Sequence, residues 1–270
     1  MTKFSVLLSV YIKDRPEFLK KSLKSIWNDQ TLKPNEIVLI KDGVLTKELD
    51  ETINEFSKNK PVKIISLNKN RGLGLALREG LKHCSFEYVA RMDADDVAYP
   101  KRFEKQIYFL IENPKVDIVG SYITEFIDSI DNIKSIRKVP IGHKEIVKNL
   151  KLRCPLNHPT VIFRKTSVIK SGNYKSFFLK EDIYLWLRLY SNNFQFSNLP
   201  ESLLYFRVST ETFKRRGGYK YAKSEFQIFL YRYKIGLINF FQLILYLMLT
   251  IPVRVAPSFL REIVYKNILR

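Results

Sequence analysis

Two kinds of apolar pattern alternate through residues 4–126, and few folds can absorb that alternation. Short, near-continuous apolar runs mark strands covered on both faces. They occur at 4–11 (FSVLLSVY), 36–43 (EIVLIKDG), 62–68 (VKIISLN), 86–93 (FEYVARMD) and 116–126 (VDIVGSYITEF). Between them lie stretches of helical period: one opening at Pro16 with Phe18, Leu19, Leu23, Ile26 and Trp27, then 45–56, 72–84 and 100–111. Strands alternating with helices of this length predict βαβ units and an open, mostly parallel sheet. The first run is too short and too β-branched for a signal peptide and reads as a first strand.

The pattern then changes. Residues 127–160 are polar and irregular, punctuated by Pro140, Gly142, Pro155 and Pro159. A strand is predicted at 160–165 and a helix at 183–192, with Ile183, Trp186, Leu187 and Tyr190 on one face. From Tyr219 onward the chain reads as helix after helix. With 46% apolar residues in 270, a sizeable core is available and intrinsic disorder is excluded. Two cysteines, Cys84 and Cys154, make no disulfide framework and favour a reducing compartment.

Charge asks for an anionic partner. The net charge is +19, and residues 207–270 contribute +9 of it. Nucleic acid, anionic lipid and a phosphorylated substrate all suit such a balance. The basic segment lies beside the most apolar stretch, INFFQLILYLMLTIPV at 238–253. Sixteen helical residues span about 24 Å, short of a hydrocarbon core near 30 Å. With Tyr231, Arg232, Tyr233, Lys234 and Arg254 as flanks, the stretch suits either the membrane interface or packing on the domain.

Several standard chemistries are absent. Gly72-Leu-Gly74 is followed by Leu77 where a dinucleotide fingerprint needs glycine. No P-loop, H-E-x-x-H, G-x-S-x-G or Cys/His cluster occurs. Carboxylates remain. Asp93, Asp95 and Asp96 follow the fourth strand, where open α/β sheets bind ligands. Carboxylates about 5 Å apart repel by about 3 kcal/mol at an effective dielectric of 20. A hard cation, Mg²⁺ or Mn²⁺, would offset that repulsion; alternatively the turn caps the helix near Pro100. Asp42 ends the second strand at the same edge and also reads as an Asp-Gly turn. Glu181-Asp182 precedes an amphipathic helix, where acids also compensate the helix dipole.

In order and spacing, several segments together resemble family 2 glycosyltransferases of the GT-A fold. These are 4–11, Lys41-Asp42-Gly43, Asn70-Arg71-Gly72 with Ala76-Leu77-Arg78, Asp93-Ala94-Asp95-Asp96 and Glu181-Asp182-Ile-Tyr-Leu-Trp. Asn157-His158-Pro159-Thr160, Arg215-Arg216-Gly217-Gly218 and the segment 263–270 are similar to the bacterial amylovoran, capsule and O-antigen subgroup. Two departures stand out. Many members end the first strand with Pro-x-Tyr-Asn, where this chain has Ser9 and Ile12 around Val10-Tyr11; many carry two aspartates where this chain has Lys41-Asp42.

The resemblance implies an α/β GT-A domain over 1–218, Rossmann-like with flanking helices, and a helical, membrane-associating extension over 219–270. It implies an inverting enzyme that moves a hexose from a UDP-sugar to a lipid-diphosphate-linked saccharide in surface polysaccharide assembly. Ser9, Val10, Tyr11, Asp42 and Arg71 would hold the nucleoside, and Asp93 with Ala94 the ribose or donor sugar. Asp95 would bind the divalent metal, Asp182 would be the general base, and Glu181 would orient it or the acceptor. His158, Arg215 and Arg216 would meet the acceptor or a diphosphate. The expected address is the cytoplasmic face of the bacterial inner membrane, held peripherally by an anionic surface, with no nucleic-acid partner. A nucleotidyltransferase on the same kind of sheet and a basic nucleic-acid-binding protein are the alternatives; no recognised nucleic-acid-binding motif is present.

Overall fold

A computed structural model describes residues 2–208 and 217–256. Strands β1 (Phe4–Val10), β2 (Glu36–Lys41), β3 (Val62–Ser66) and β4 (Tyr88–Met92) pair in parallel in the order β3-β2-β1-β4. Beyond β4 the nine-stranded sheet turns mixed. β8 (Ile162–Arg164) lies antiparallel between β4 and β6 (Ile118–Ile127), and β6 runs parallel to β9 (Phe196–Arg207). The two-residue β5 (Val97–Ala98) closes on β9, and β7 (Ser129–Arg137) forms a hairpin with β6.

The apolar run of β1 has a simple cause. Phe4, Val6, Leu8 and Val10 face one core and Leu7 the other, so alternate side chains of one strand are buried on both sides. Helices α1 (Pro16–Trp27), α2 (Lys47–Ser57) and α4 (Arg102–Glu112) cover the first face with Leu23, Ile53 and Phe103. On the second face lie α3 (Leu73–His83), α5 (His143–Leu150), α6 (Lys165–Lys170) and α7 (Glu181–Ser191), with Leu77, Ile146, Val168 and Trp186 buried together. The expected α/β architecture is therefore present.

Two features escaped the sequence pattern. The region 127–160, expected to be irregular, contains β7 and α5. β7 is mostly exposed, so no buried face imposed an apolar period on it. β9 contains Pro200, which argues against a strand. The structure places it at a break in register, where Leu199 pairs with Ser121 but Ser202 pairs with Tyr122.

Helices α8 (Tyr219–Lys234) and α9 (Phe240–Val255) form a hairpin. Gly236 turns the chain between them at φ +70°. Asn239 and Gln242 then start α9 with reciprocal side-chain-to-backbone bonds of 2.9 and 3.1 Å. Ile228, Phe229, Leu237, Ile238 and Leu243 enter the same core as Trp186. Among the described residues no helix is long and apolar enough to cross a membrane.

Candidate active site

Register alone gathers the residues expected on the donor side. Val10 pairs with Lys41 and Leu8 with Met92, so Tyr11, Asp42 and Asp93 leave the sheet at one edge. Asp42 is buried, and its two carboxylate oxygens accept the N–H groups of Arg71 (2.7 Å) and Gly72 (3.0 Å). It thereby fastens the loop that opens α3. Gly43, at φ +93°, permits the close approach: a Cβ there would lie 2.7 Å from the Asn70 nitrogen.

The acidic turn is braced from several directions. Buried Arg91 forms a two-pronged ion pair with Asp93. Ser22 Oγ donates to the Asp93 carbonyl at 2.7 Å. Arg207, at the end of β9, donates its backbone N–H to Asp96 Oδ1 (3.0 Å) and its Nε to the Asp95 carbonyl (3.1 Å). Its guanidinium stacks on Phe18 and Phe126, with centroid distances of 3.7 and 4.5 Å. Asp14 joins the cluster, accepting the Tyr11 N–H at 2.9 Å. Burial, with Asp95 and Asp93 nearby, pushes Asp14 up to about 7.

A divalent cation fits these groups. Asp93, Asp95 and Asp96 can each present an oxygen within 4.8 Å of the others. Asp96 Oδ2 is buried with no hydrogen-bond partner, an unsatisfied hard donor. Protein crowding and then Asp93 push Asp95 up to about 6, although its side chain opens to solvent. Burial, then Asp95 and Asp93, push Asp96 well above the usual carboxylate range. Asp93 is already neutralised by Arg91, which leaves Asp95 and Asp96 as the oxygens free to hold the ion. The sequence places Asp96 in the acidic cluster but singles out Asp95 as the metal residue; the structure adds the buried Asp96 oxygen as a candidate.

Glu181 and Asp182 occupy the first turn of α7. Asp182 Oδ1 accepts the Ile183 N–H at 2.7 Å, and its Oδ2 lies 3.7 Å from the Cys154 thiol. Burial, and Asp182 beside it, push Glu181 up to about 7, and Glu181 also lies in the fields of Arg91 and Asp93. Glu181 therefore lies close enough to the acidic turn to share its field. Gly74 brings α3 against Glu181: a Cβ on Gly74 would sit 2.8 Å from the Lys175 carbonyl and 3.1 Å from Glu181 Cβ.

The remaining expected residues separate. Ser9 and Tyr11 are partly exposed at the sheet edge, while Val10 is buried in the core and Ala94 is buried within the turn. His158 is buried, bonded through Nε2 to Tyr174 Oη at 3.0 Å and set edge-on to Trp186. Burial lowers its basicity well below the ordinary imidazole value. Instead of presenting a cationic ring to a ligand, it supports the packing behind α7. Arg215 and Arg216 lie outside the described residues. Sequence reasoning missed Asp14 and Arg207. Asp14, three residues beyond Tyr11 and just before Pro16, carried a turn signal; Arg207 sat on a strand that Pro200 concealed.

The α/β sheet thus carries carboxylates at the ends of its parallel strands, with a second acidic pair on the first turn of α7 nearby. The glycosyl transferase family 2 model matches residues 5–172, and the chain belongs to that family and is a glycosyltransferase. A Haemophilus influenzae protein described as an uncharacterized glycosyltransferase is 41% identical over 99% of both chains. The Escherichia coli UDP-Gal:alpha-D-GlcNAc-diphosphoundecaprenol beta-1,3-galactosyltransferase is 38% identical, over 99% of this chain and 97% of its own length. An amylovoran biosynthesis glycosyltransferase of Erwinia amylovora is 37% identical over 98% of both. Among solved structures, S. aureus TarS in complex with UDP-GlcNAc superposes with TM-score 0.66 at 17% identity, covering 100% of this chain and 76% of that one. A Pyrobaculum calidifontis mannosyltransferase in complex with GDP-Man and Mn²⁺ gives TM-score 0.66 at 14% identity, covering 98% and 75%. These structures bear on the fold, which is of the GT-A type.

Proposed function

We propose that the chain is an inverting hexosyltransferase that takes its sugar from a UDP-linked donor. Its acceptor is a lipid-diphosphate-linked saccharide destined for surface polysaccharide. What supports this above all is the placement of Glu181 and Asp182 on the first turn of α7, with Glu181 near enough to the acidic turn to feel Arg91 and Asp93. The near-full-length similarity to a UDP-galactose enzyme acting on a diphosphate lipid supports the substrate classes.

In this reading the nucleoside lies along the edge formed by Ser9, Val10 and Tyr11. Asp42 keeps the Arg71 loop closed beside it, and Asp93 with Ala94 contacts the ribose or donor sugar. Asp95 and Asp96 would hold a divalent metal, which, when bound, acts as a Lewis acid that offsets charge on the departing diphosphate. Asp182 accepts the proton of the acceptor hydroxyl as that oxygen attacks the anomeric carbon. Glu181 holds the acceptor in line, so positioning supplies much of the rate. Arg215 and Arg216 supply positive charge for the acceptor diphosphate, and His158 stays behind the site as support for Trp186. One in-line displacement turns an α-linked donor into a β-linked product. UDP-galactose and a synthetic GlcNAc-diphosphate lipid test this: a β-linked disaccharide product is expected, and an α-linkage would sink the inverting mechanism.

The extension 219–270 we assign to attachment at the inner face of an anionic membrane. Phe240, Phe241, Ile244, Leu245, Met248, Leu249 and Val255 form one exposed stripe along α9, with Phe241 83% accessible. Exposed Lys220, Lys223 and Lys234 fringe it on α8, and the single acid of 217–256, Glu225, is buried. An apolar stripe with a cationic fringe suits interfacial docking. Sedimentation with phosphatidylglycerol vesicles should carry the protein down, and phosphatidylcholine vesicles should not.

A further inference from the structure

The inner side of the α8–α9 hairpin carries charge that packing alone does not require. Glu225 on α8 is 5% exposed and holds Lys180 Nζ at 2.8 Å and Arg254 Nε at 3.3 Å. Arg232, wholly buried two turns further along the same face of α8, also lies in the field of Glu225. The ammonium of Lys180 and the guanidinium of Arg254 both lie over the Tyr221 ring, at 4.7 and 5.0 Å. Among the described residues, Glu225 is thus paired with two cations and lies near a third.

Lys180 is the residue that opens α7, immediately before Glu181 and Asp182. A largely covered cation at a helix N-terminus is disfavoured both by partial desolvation and by the helix dipole. It stays there because Glu225 compensates it. The cluster also reaches the base from behind: the Cys154 thiol, 3.7 Å from Asp182 Oδ2, lies in the fields of Lys180 and Arg232. Apolar side chains would have joined the hairpin to the domain at less cost.

We propose that Glu225 is a positioning residue for glycosyl transfer. By anchoring Lys180 it fixes the helix start that carries Glu181 and Asp182, and it makes the α8–α9 hairpin part of the catalytic apparatus. The proposal rests on Asp182 being the base. The geometry acts on the acceptor side of the cleft and leaves the sheet edge that binds the nucleotide untouched.

The test compares Glu225→Gln, Glu225→Asp and Lys180→Arg with the parent protein. UDP release is measured from UDP-galactose with the synthetic GlcNAc-diphosphate lipid, and UDP affinity in Mn²⁺ by calorimetry. Glu225→Gln is expected to lower kcat at least tenfold while KM for UDP-galactose and UDP affinity stay within twofold. Glu225→Asp should recover part of kcat. Lys180→Arg keeps the charge, and so the fold, but replaces the compact ammonium with a longer planar guanidinium that displaces the helix start against Glu225, and should show the same split in milder form. A Glu225→Gln protein with kcat within twofold of the parent overturns the proposal, as does a parallel loss of UDP affinity. Should Glu225→Gln fail to fold, Lys180→Arg decides, and an unchanged kcat there overturns it. Asp182→Asn separates the two layers: if it retains turnover, the base assignment fails; if it is inactive while Glu225→Gln is fully active, only the clamp fails.

Discussion

The two acidic groups of the cleft are held by different kinds of structure. Asp93–Asp96 leave a central parallel strand, and the register of β1, β2 and β4 delivers them to the sheet edge. Glu181–Asp182 sit on the first turn of a helix, anchored by a side-chain ion pair from a hairpin 45 residues further along. Hydrogen-bonded strands resist shear, so the first group is fixed by topology. The second is fixed by packing and charge, which single substitutions can release. In the proposed function, this would give a rigid donor side and a tunable acceptor side.

That contrast can be broken experimentally. Asp182→Asn should show the largest effect: a fall in kcat of about 10³-fold, within the usual range for a general base, with UDP affinity unchanged. Turnover and calorimetry on one preparation check it, and loss of UDP binding would erase the division between the two sides. Asp95→Ala should do the opposite on the donor side, removing the gain in UDP affinity that Mn²⁺ provides, about tenfold or more. Calorimetry with and without the metal reads this directly.

On the hairpin, Phe241→Asp combined with Met248→Asp should lower binding to phosphatidylglycerol vesicles by at least about tenfold, since each exposed apolar chain contributes about 1.5–3 kcal/mol when buried. Thermal stability should hold, because both side chains face solvent, at 83% and 68% exposure.

The smallest effect concerns pH. Glu181 is pushed from 4.5 to about 7 by burial and by Asp182. A carboxyl whose pKa is raised on folding binds more protons in the native state between those values, so its contribution makes stability fall as pH rises from about 4.5 through about 7. Below that window it is protonated in both states and contributes nothing. Glu181→Gln should therefore melt a few degrees above the parent at pH 8 and together with it at pH 4, as read by thermal scans.

Local pattern determined a good deal of this protein. The near-continuous apolar run of β1, the helical period of α1 to α4 and the carboxylates after β4 follow from residues close in sequence, where backbone geometry alone relates side chain to position. Asp42, Asp95, Glu181 and Asp182 could be proposed for that reason, as residues at the ends of predictable elements. β9 was not legible, because Pro200 is tolerated only by a register break that β6 supplies. Nor were the long-range braces. Arg207 meets Asp96 across 111 residues and Lys180 meets Glu225 across 45. His158 looked like a ligand contact until Tyr174 and Trp186 closed over it. Only the tertiary structure decided these matters. Burial and charge compensation depend on which distant surfaces meet, and no local period records that.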